Sequence, residues 1–118
     1  MTSVADHADL VRHAYDAFNS RDIDAAVKLM AEDVVWPNVS DGGFVHGPDA
    51  VREHWREQFD AVDPRLELLG IEALGDGRLR AAVRQVVRSS EGEPVSDERL
   101  NHVYTIGHGR IERMEIQN

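Results

Sequence analysis

Residues 31–59 read AEDVVWPNVSDGGFVHGPDAVREHWREQF, and the reading of this stretch decides the fold. Val34-Val35-Trp36 is β-branched and aromatic, which favours a strand, and Pro37, unable to donate to a ladder, marks its end or an edge. Ser40 to Gly43 is turn chemistry. Gly47-Pro48-Asp49 then opens a helix, with proline suited to the first turn. Along that helix Val51, Trp55, Phe59 and Val62 share a face, while Arg52, Glu53, Arg56 and Glu57 turn to water. Trp36 and Trp55 are the chain's only tryptophans. Two large rings on neighbouring elements predict the wall of a core or a pocket.

Upstream, Leu10, Val11, Ala14, Tyr15 and Phe18 follow helical spacing from Ser3 to Asn19. Asn19-Ser20-Arg21 breaks the pattern. Asp22 is an N-cap for a short second helix whose buried stripe is Ile23, Ala26, Val27 and Met30. Downstream of Asp63-Pro64 the period changes to alternation. Strands are predicted at 65–74, 78–89, 96–107 and 110–117, punctuated by Gly75-Asp76-Gly77, Ser89 to Pro94 and Gly107-His108-Gly109. Helices followed by hairpin-linked strands make an α+β domain, with the helices gathered on one face of a curved antiparallel sheet.

Length and composition bound the function. A chain of 118 residues, 42% hydrophobic and 30% charged, is read as one domain over residues 1–118 with a core of its own. The absence of cysteine removes disulfides and thiolate metal sites. The formal charge of −9 argues against nucleic acid as a partner. No apolar run is long enough to span a bilayer and the N-terminus lacks the pattern of a signal peptide, so no membrane partner and a cytoplasmic location are expected. Arg78, Arg80, Arg84 and Arg88 are evenly spaced on one predicted strand, and a solvated or subunit-facing surface is expected of them ahead of an anion site.

The order of elements, with the runs FNSRDIDAAVKLMAEDVVW (18–36), VHGPDAVREHW (45–55) and YTIGHGRIERMEI (104–116), resembles the nuclear transport factor 2-like superfamily, in its SnoaL-like and ketosteroid-isomerase-like branch. The resemblance implies an α+β, cystatin-like cone: a curved antiparallel sheet wrapped around the N-terminal helices and enclosing a deep apolar cavity. It also implies a homodimer through the outer sheet face. Against the ketosteroid-isomerase pattern, the catalytic carboxylate base falls on Asn38 and the oxyanion-hole tyrosine on Ala14, with Tyr15 one residue away. The carboxylic acid that assists the tyrosine falls on His102. An amide cannot abstract a proton, so isomerisation by the same residues is not expected.

The residues themselves point to His102. On its strand Leu100, His102, Tyr104 and Ile106 form the apolar face, which puts an imidazole among Trp36, Trp55 and Phe59. An unperturbed pKa near about 6.5 suits acid–base work. Asn38 could orient the ring or a substrate carbonyl. Gln85 shares its strand's apolar face with Leu79, Ala81, Val83 and Val87, and a one-residue slip would turn Arg84 inward instead. The expected site therefore has His102 and Asn38 as candidate catalytic residues. Tyr15, Phe18, Trp36, Trp55, Phe59, Gln85, Leu100, Tyr104, Met114 and Ile116 are its expected ligand-binding residues. Asp41 could reach the mouth, His46 is assigned to closing the loop, and His7, His13, His54 and His108 are read as solvent-side or in turns. Neither a metal nor a cofactor is expected, since no ligand spacing or phosphate-cradling loop occurs. The expected function is binding of a small, mostly apolar, steroid- or polyketide-like molecule. That binding could come with cofactor-free proton transfer of isomerase, cyclase, dehydratase or hydrolase type. The alternatives are a non-catalytic ligand-binding module and a dimeric scaffold.

Overall fold

The computed structural model describes residues 4–38 and 42–117. Its elements are α1 (Val4–Asn19), α2 (Ile23–Val27), β1 (Met30–Pro37), β2 (Phe44–His46), α3 (Pro48–Ala61), β3 (Val62–Ala73), β4 (Arg78–Ser89), β5 (Pro94–Gly107) and β6 (Arg110–Gln117). The strands form one sheet in the order β2-β1-β6-β5-β4-β3, open at β2 and β3. Register shifts interrupt the β3–β4, β4–β5 and β5–β6 pairings, and such irregularities bend strands and deepen twist. All neighbours are antiparallel except β1 and β6, which run parallel. That pair corrects the expectation of a wholly antiparallel sheet.

Four local expectations also need correction. Met30 is not on the short helix: α2 ends at Val27 and Met30, deeply buried, opens β1. The loop after Pro37 contains a three-residue strand, β2, paired to β1 through Trp36 and Val45. Helix α3 runs straight into β3, so Val62 caps the helix instead of lying on its face and Pro64 sits within an edge strand, where a missing donor is tolerated. Strand β5 starts at Pro94, ahead of the expected 96. The turns behave as their residues dictate. Gly47 (φ 88°) caps α3 and donates to the Val34 carbonyl at 2.8 Å. His108 (φ 53°) and Gly109 (φ 75°) make the two-residue hairpin turn between β5 and β6, both in the left-handed region such a turn requires.

The core fills the space between the helices and the inner sheet face. Val11, Ala14, Tyr15 and Phe18 of α1 and Val51 and Trp55 of α3 meet Val34, Trp36, Leu79, Ala81, Val83, Tyr104, Ile111 and Met114. On the outer face Arg80 pairs with Glu72 at 2.6 Å, and Arg84 holds Asp97 through two bonds of 2.9 and 2.6 Å. The even arginine row is therefore largely neutralised by carboxylates. Exposed pairs of this kind add little stability each.

The open edge of β3 is closed by a side chain. The Asn19 amide donates to the Leu66 carbonyl at 2.7 Å and accepts from the Leu66 N–H at 2.9 Å, so it acts as one further rung of the sheet. Arg21, at φ 62°, donates to the Pro64 and Phe18 carbonyls, pairs with Asp63 and lies 4.2 Å over the Phe59 ring. Asn19→Ala is expected to lower unfolding free energy by about 1–2 kcal/mol, since it unmakes both bonds at a half-buried backbone. Asn19→Asp should be no better, because its carboxylate would oppose the Leu66 carbonyl. Urea denaturation decides: a loss under about 0.5 kcal/mol for both variants would mean that the edge needs no such closure.

Candidate functional site

Inside the core the helices and sheet leave a cavity of about 50 Å³. It is lined by Ala14, Tyr15 and Phe18 of α1, Trp36 of β1, Trp55 and Gln58 of α3, Leu66 of β3, Gln85 of β4, His102 and Tyr104 of β5, and Met114 and Ile116 of β6. Among the described residues no carboxylate lines it. The volume is small beside the roughly 300–1,000 Å³ typical of drug-sized ligand pockets. The indoles account for part of that. Trp36 and Trp55 pack at 5.6 Å between ring centroids and 71° between planes, and Phe18 meets Trp55 edge-on at 5.0 Å.

Register explains how the polar groups arrive. On β5 His102 faces Ala81 of β4 and Ile116 of β6, and Tyr104 faces Leu79 and Met114. Alternation sends both side chains inward, and both are almost wholly buried. From α1, Tyr15 reaches across to them. Its hydroxyl lies 2.8 Å from His102 Nδ1, and the Tyr104 hydroxyl donates to the Tyr15 oxygen at 2.9 Å. Among the described residues no fully buried side-chain nitrogen or oxygen is left unpaired. Burial pulls the His102 imidazole down from 6.5 to about 4, so it is neutral at pH 7. Burial, together with neighbouring Tyr104, raises the Tyr15 hydroxyl well above the ordinary tyrosine value. Burial raises Tyr104 too, against the opposing effect of its bond to Tyr15.

Of the residues expected to bind a ligand, the cavity brings together Tyr15, Phe18, Trp36, Trp55, Gln85, Tyr104, Met114 and Ile116, with His102 beside them. Gln85 faces inward and Arg84 outward, which resolves the parity of β4. Phe59 and Leu100 do not line the cavity. Phe59 packs behind it on Phe18 and Trp55, and Leu100 is half-buried against the core. Asn38 stands apart. Beyond Pro37 its N–H donates to the Gly43 carbonyl and its own carbonyl accepts from Gly42, so turn geometry places it. It lines a separate surface hollow of about 350 Å³ with Pro37, Gly42, Gly43, Phe44, Arg113, Glu115 and Ile116. Among the described residues only Ile116 is common to both spaces. Asp41 lies outside the described residues. His54, expected at the solvent side, is buried on α3 with Val51 and Trp55. Among the described residues no cluster of His, Cys, Asp or Glu could hold a metal ion, and no helix is long and apolar enough to cross a membrane.

Three lining residues were not expected. Ala14 and Tyr15 are adjacent on α1, and both border the cavity because it meets the helix broadly. Gln58 follows Trp55 by three positions, and Leu66 alternates with Pro64 and Leu68 on β3. The periodicities that placed their neighbours therefore also carried these two.

Comparison with known proteins agrees with this fold. The family model described as "SnoaL-like domain" matches residues 11–114. No curated protein sequence matches the chain. An NTF2-like protein of unknown function from Burkholderia pseudomallei is 25% identical, with 99% of this chain and 91% of that one covered and a TM-score of 0.83. A candidate polyketide cyclase from Sinorhizobium meliloti is 32% identical over 92% of this chain and 94% of its own, with a TM-score of 0.75. A Mycobacterium tuberculosis protein solved in complex with estradiol-17β-hemisuccinate shares the fold at 19% identity, with 92% and 90% covered and a TM-score of 0.80.

Proposed function

The chain belongs to the SnoaL-like domain family of the nuclear transport factor 2-like superfamily, and from that premise we propose that it binds a small, mostly apolar molecule, steroid- or polyketide-like, inside the cone. The observation that carries this reading is the Tyr104–Tyr15–His102 chain set, with the amides of Gln58 and Gln85, into a cavity of otherwise apolar walls. Apolar walls with a few convergent polar groups are the composition of small-molecule sites. The relatives named above add weight, one being a candidate polyketide cyclase and one holding an estradiol derivative. At about 50 Å³ the cavity has to widen for a multi-ring ligand, and the unbranched Gln58 and Met114 are the lining side chains best able to swing aside.

Both tryptophans line the cavity, so intrinsic fluorescence reports on it without interference from any other indole. A panel of aromatic ketones should give a saturable fluorescence change with one molecule per chain. Ala14→Leu, which fills the cavity from α1, should abolish that change. Absence of saturation across the panel, or an unaltered response in Ala14→Leu, would overturn the reading.

A second reading adds turnover: cofactor-free proton transfer with His102 as acid or base. The depressed imidazole favours a neutral ring at pH 7, which removes the resting acid role. The place of Asn38 outside the cavity lining speaks against a part for it in that transfer. Deuterium from solvent entering the position next to a bound ketone's carbonyl would support turnover, and recovery of the ketone unchanged and unlabelled would leave a binding module. Pairing of two copies through the outer sheet face and residence in the cytoplasm belong to the same proposal. Light scattering tests the former, and a monomer at micromolar concentration would count against it.

A further inference from the structure

In the buried chain of two tyrosines and a histidine, one arrangement of protons leaves no hydroxyl proton without an acceptor. Among the described residues, the Tyr104 hydroxyl has the Tyr15 oxygen as its only hydrogen-bond partner, at 2.9 Å. Its proton goes there. Tyr15 therefore accepts once and has its own proton to place, with His102 Nδ1 2.8 Å away. A hydrogen on Nδ1 would set two donors against each other, or leave one of the two hydroxyl protons with no acceptor among the described residues. If Tyr15 donates to Nδ1, every hydroxyl proton is used. A neutral imidazole that accepts at Nδ1 carries its hydrogen on Nε2.

Nε2 faces open space. It makes no hydrogen bond to a described residue, yet no fully buried side-chain nitrogen among them is unpaired, and His102 lines the cavity. We infer that Tyr104 and Tyr15 lock His102 in the Nε2–H tautomer, so that it presents a hydrogen-bond donor to an acceptor oxygen of the carbonyl class on the molecule the cavity takes. For its ligand this rests on the binding reading above; the tautomer stands on geometry alone. The two tyrosines are positioning residues, acting on the ligand through the ring. Held this way, His102 has no lone pair at Nε2, so this tautomer also takes the base role out of the turnover reading above. A neutral donor aimed at a carbonyl instead grows stronger as charge gathers on that oxygen, so any turnover here would draw on His102 as an electrophile.

The tautomer is read directly from long-range proton–nitrogen NMR correlations of protein labelled with ¹⁵N-histidine at pH 7. The expected His102 pattern is a protonated nitrogen at ε2 and an unprotonated one at δ1. In Tyr15→Phe, which removes the donor to Nδ1, this bias should relax toward a mixture, a change that a merely space-filling tyrosine would not produce. A proton on Nδ1 in the native protein, or a pattern unmoved in Tyr15→Phe, overturns the assignment. Acetophenone and ethylbenzene, close in shape, test the donor role by calorimetry. The ketone should bind about tenfold more tightly, the order expected of one net hydrogen bond, and should shift the Nε2 resonance. Equal affinities overturn the donor role while leaving the binding reading intact. If neither probe binds, the binding reading falls and the donor role with it, and the spectrum of the free protein still decides the tautomer.

Discussion

Trp55→Ala is expected to destabilise the domain by about 3–5 kcal/mol, the range for a fully buried large aromatic cut to a methyl group. Trp55 is 2% exposed and is the hub of the ring cluster, touching Phe18 at 5.0 Å, Trp36 at 5.6 Å and Phe59 at 6.3 Å between centroids. Each such pair adds roughly 0.5–1.5 kcal/mol beyond area burial. The hole would also join a cavity that already exists, so collapse around it should be incomplete. Against a total stability of about 5–15 kcal/mol, this is a large fraction. The melting temperature should fall by on the order of 10–20 °C. Urea unfolding followed by circular dichroism checks it, since the change removes one of the two fluorophores. Phe44→Ala is the control: that ring is 44% exposed and stacks on Arg113, and its loss should cost under about 1 kcal/mol. A Trp55→Ala penalty no larger than the control's would show that the cluster does not anchor α3.

The parts of this fold that could be read in advance are those where one periodicity applied and nothing competed with it. Helix α1 shows its apolar stripe at i, i+3 and i+4, and β4 shows strict alternation through Leu79, Ala81, Val83, Gln85 and Val87. Met30 was misplaced because an apolar residue three positions after Val27 satisfies a helix as well as a strand start, and only the pairing of Met30 with Ile111 of β6 decides between them. Strand β2 is three residues between glycines, too short to show any period. It exists because β1 offers it an edge. His54 was within reach: it shares the α3 face of Val51 and Trp55, and a polar residue type outweighed a spacing that said inside.

For the site the contrast is sharper. Tyr15, His102 and Tyr104 could each be aimed inward from their own element, but their meeting depends on how α1 lies across β5, which no local pattern encodes. Asn38 shows the opposite failure. Alternation from Val34 and Trp36 points it inward, but Pro37 ends the strand and the turn to Gly42 and Gly43 takes over its direction. Asn38, where the resemblance to ketosteroid isomerases sets a base, therefore faces a space other than the cavity.

Acid should destabilise this protein through His102 by about 3 kcal/mol between pH 7 and pH 4. Burial lowers the imidazole from 6.5 to about 4 in the folded chain. Above 6.5 neither state holds the proton and the contribution is complete. Between 6.5 and about 4 the unfolded chain takes up a proton that the folded one refuses, so stability falls steadily as pH drops through that window; below it the loss is spent. A separation of roughly 2.5 units at about 1.36 kcal/mol each sets the size. Carboxylates titrate over part of the same range, so the comparison has to be a difference. His102→Gln removes the titration while its amide oxygen still gives the Tyr15 hydroxyl an acceptor. Urea midpoints taken every half unit should show the native protein losing about 3 kcal/mol more than His102→Gln from pH 7 to 4, with the two curves parallel above pH 7. Parallel curves over the whole range would mean that the folded ring takes up a proton as readily as the unfolded one. Such a ring would be exposed to water, and neither the buried tyrosine chain nor the apolar chamber around it would describe the protein in solution.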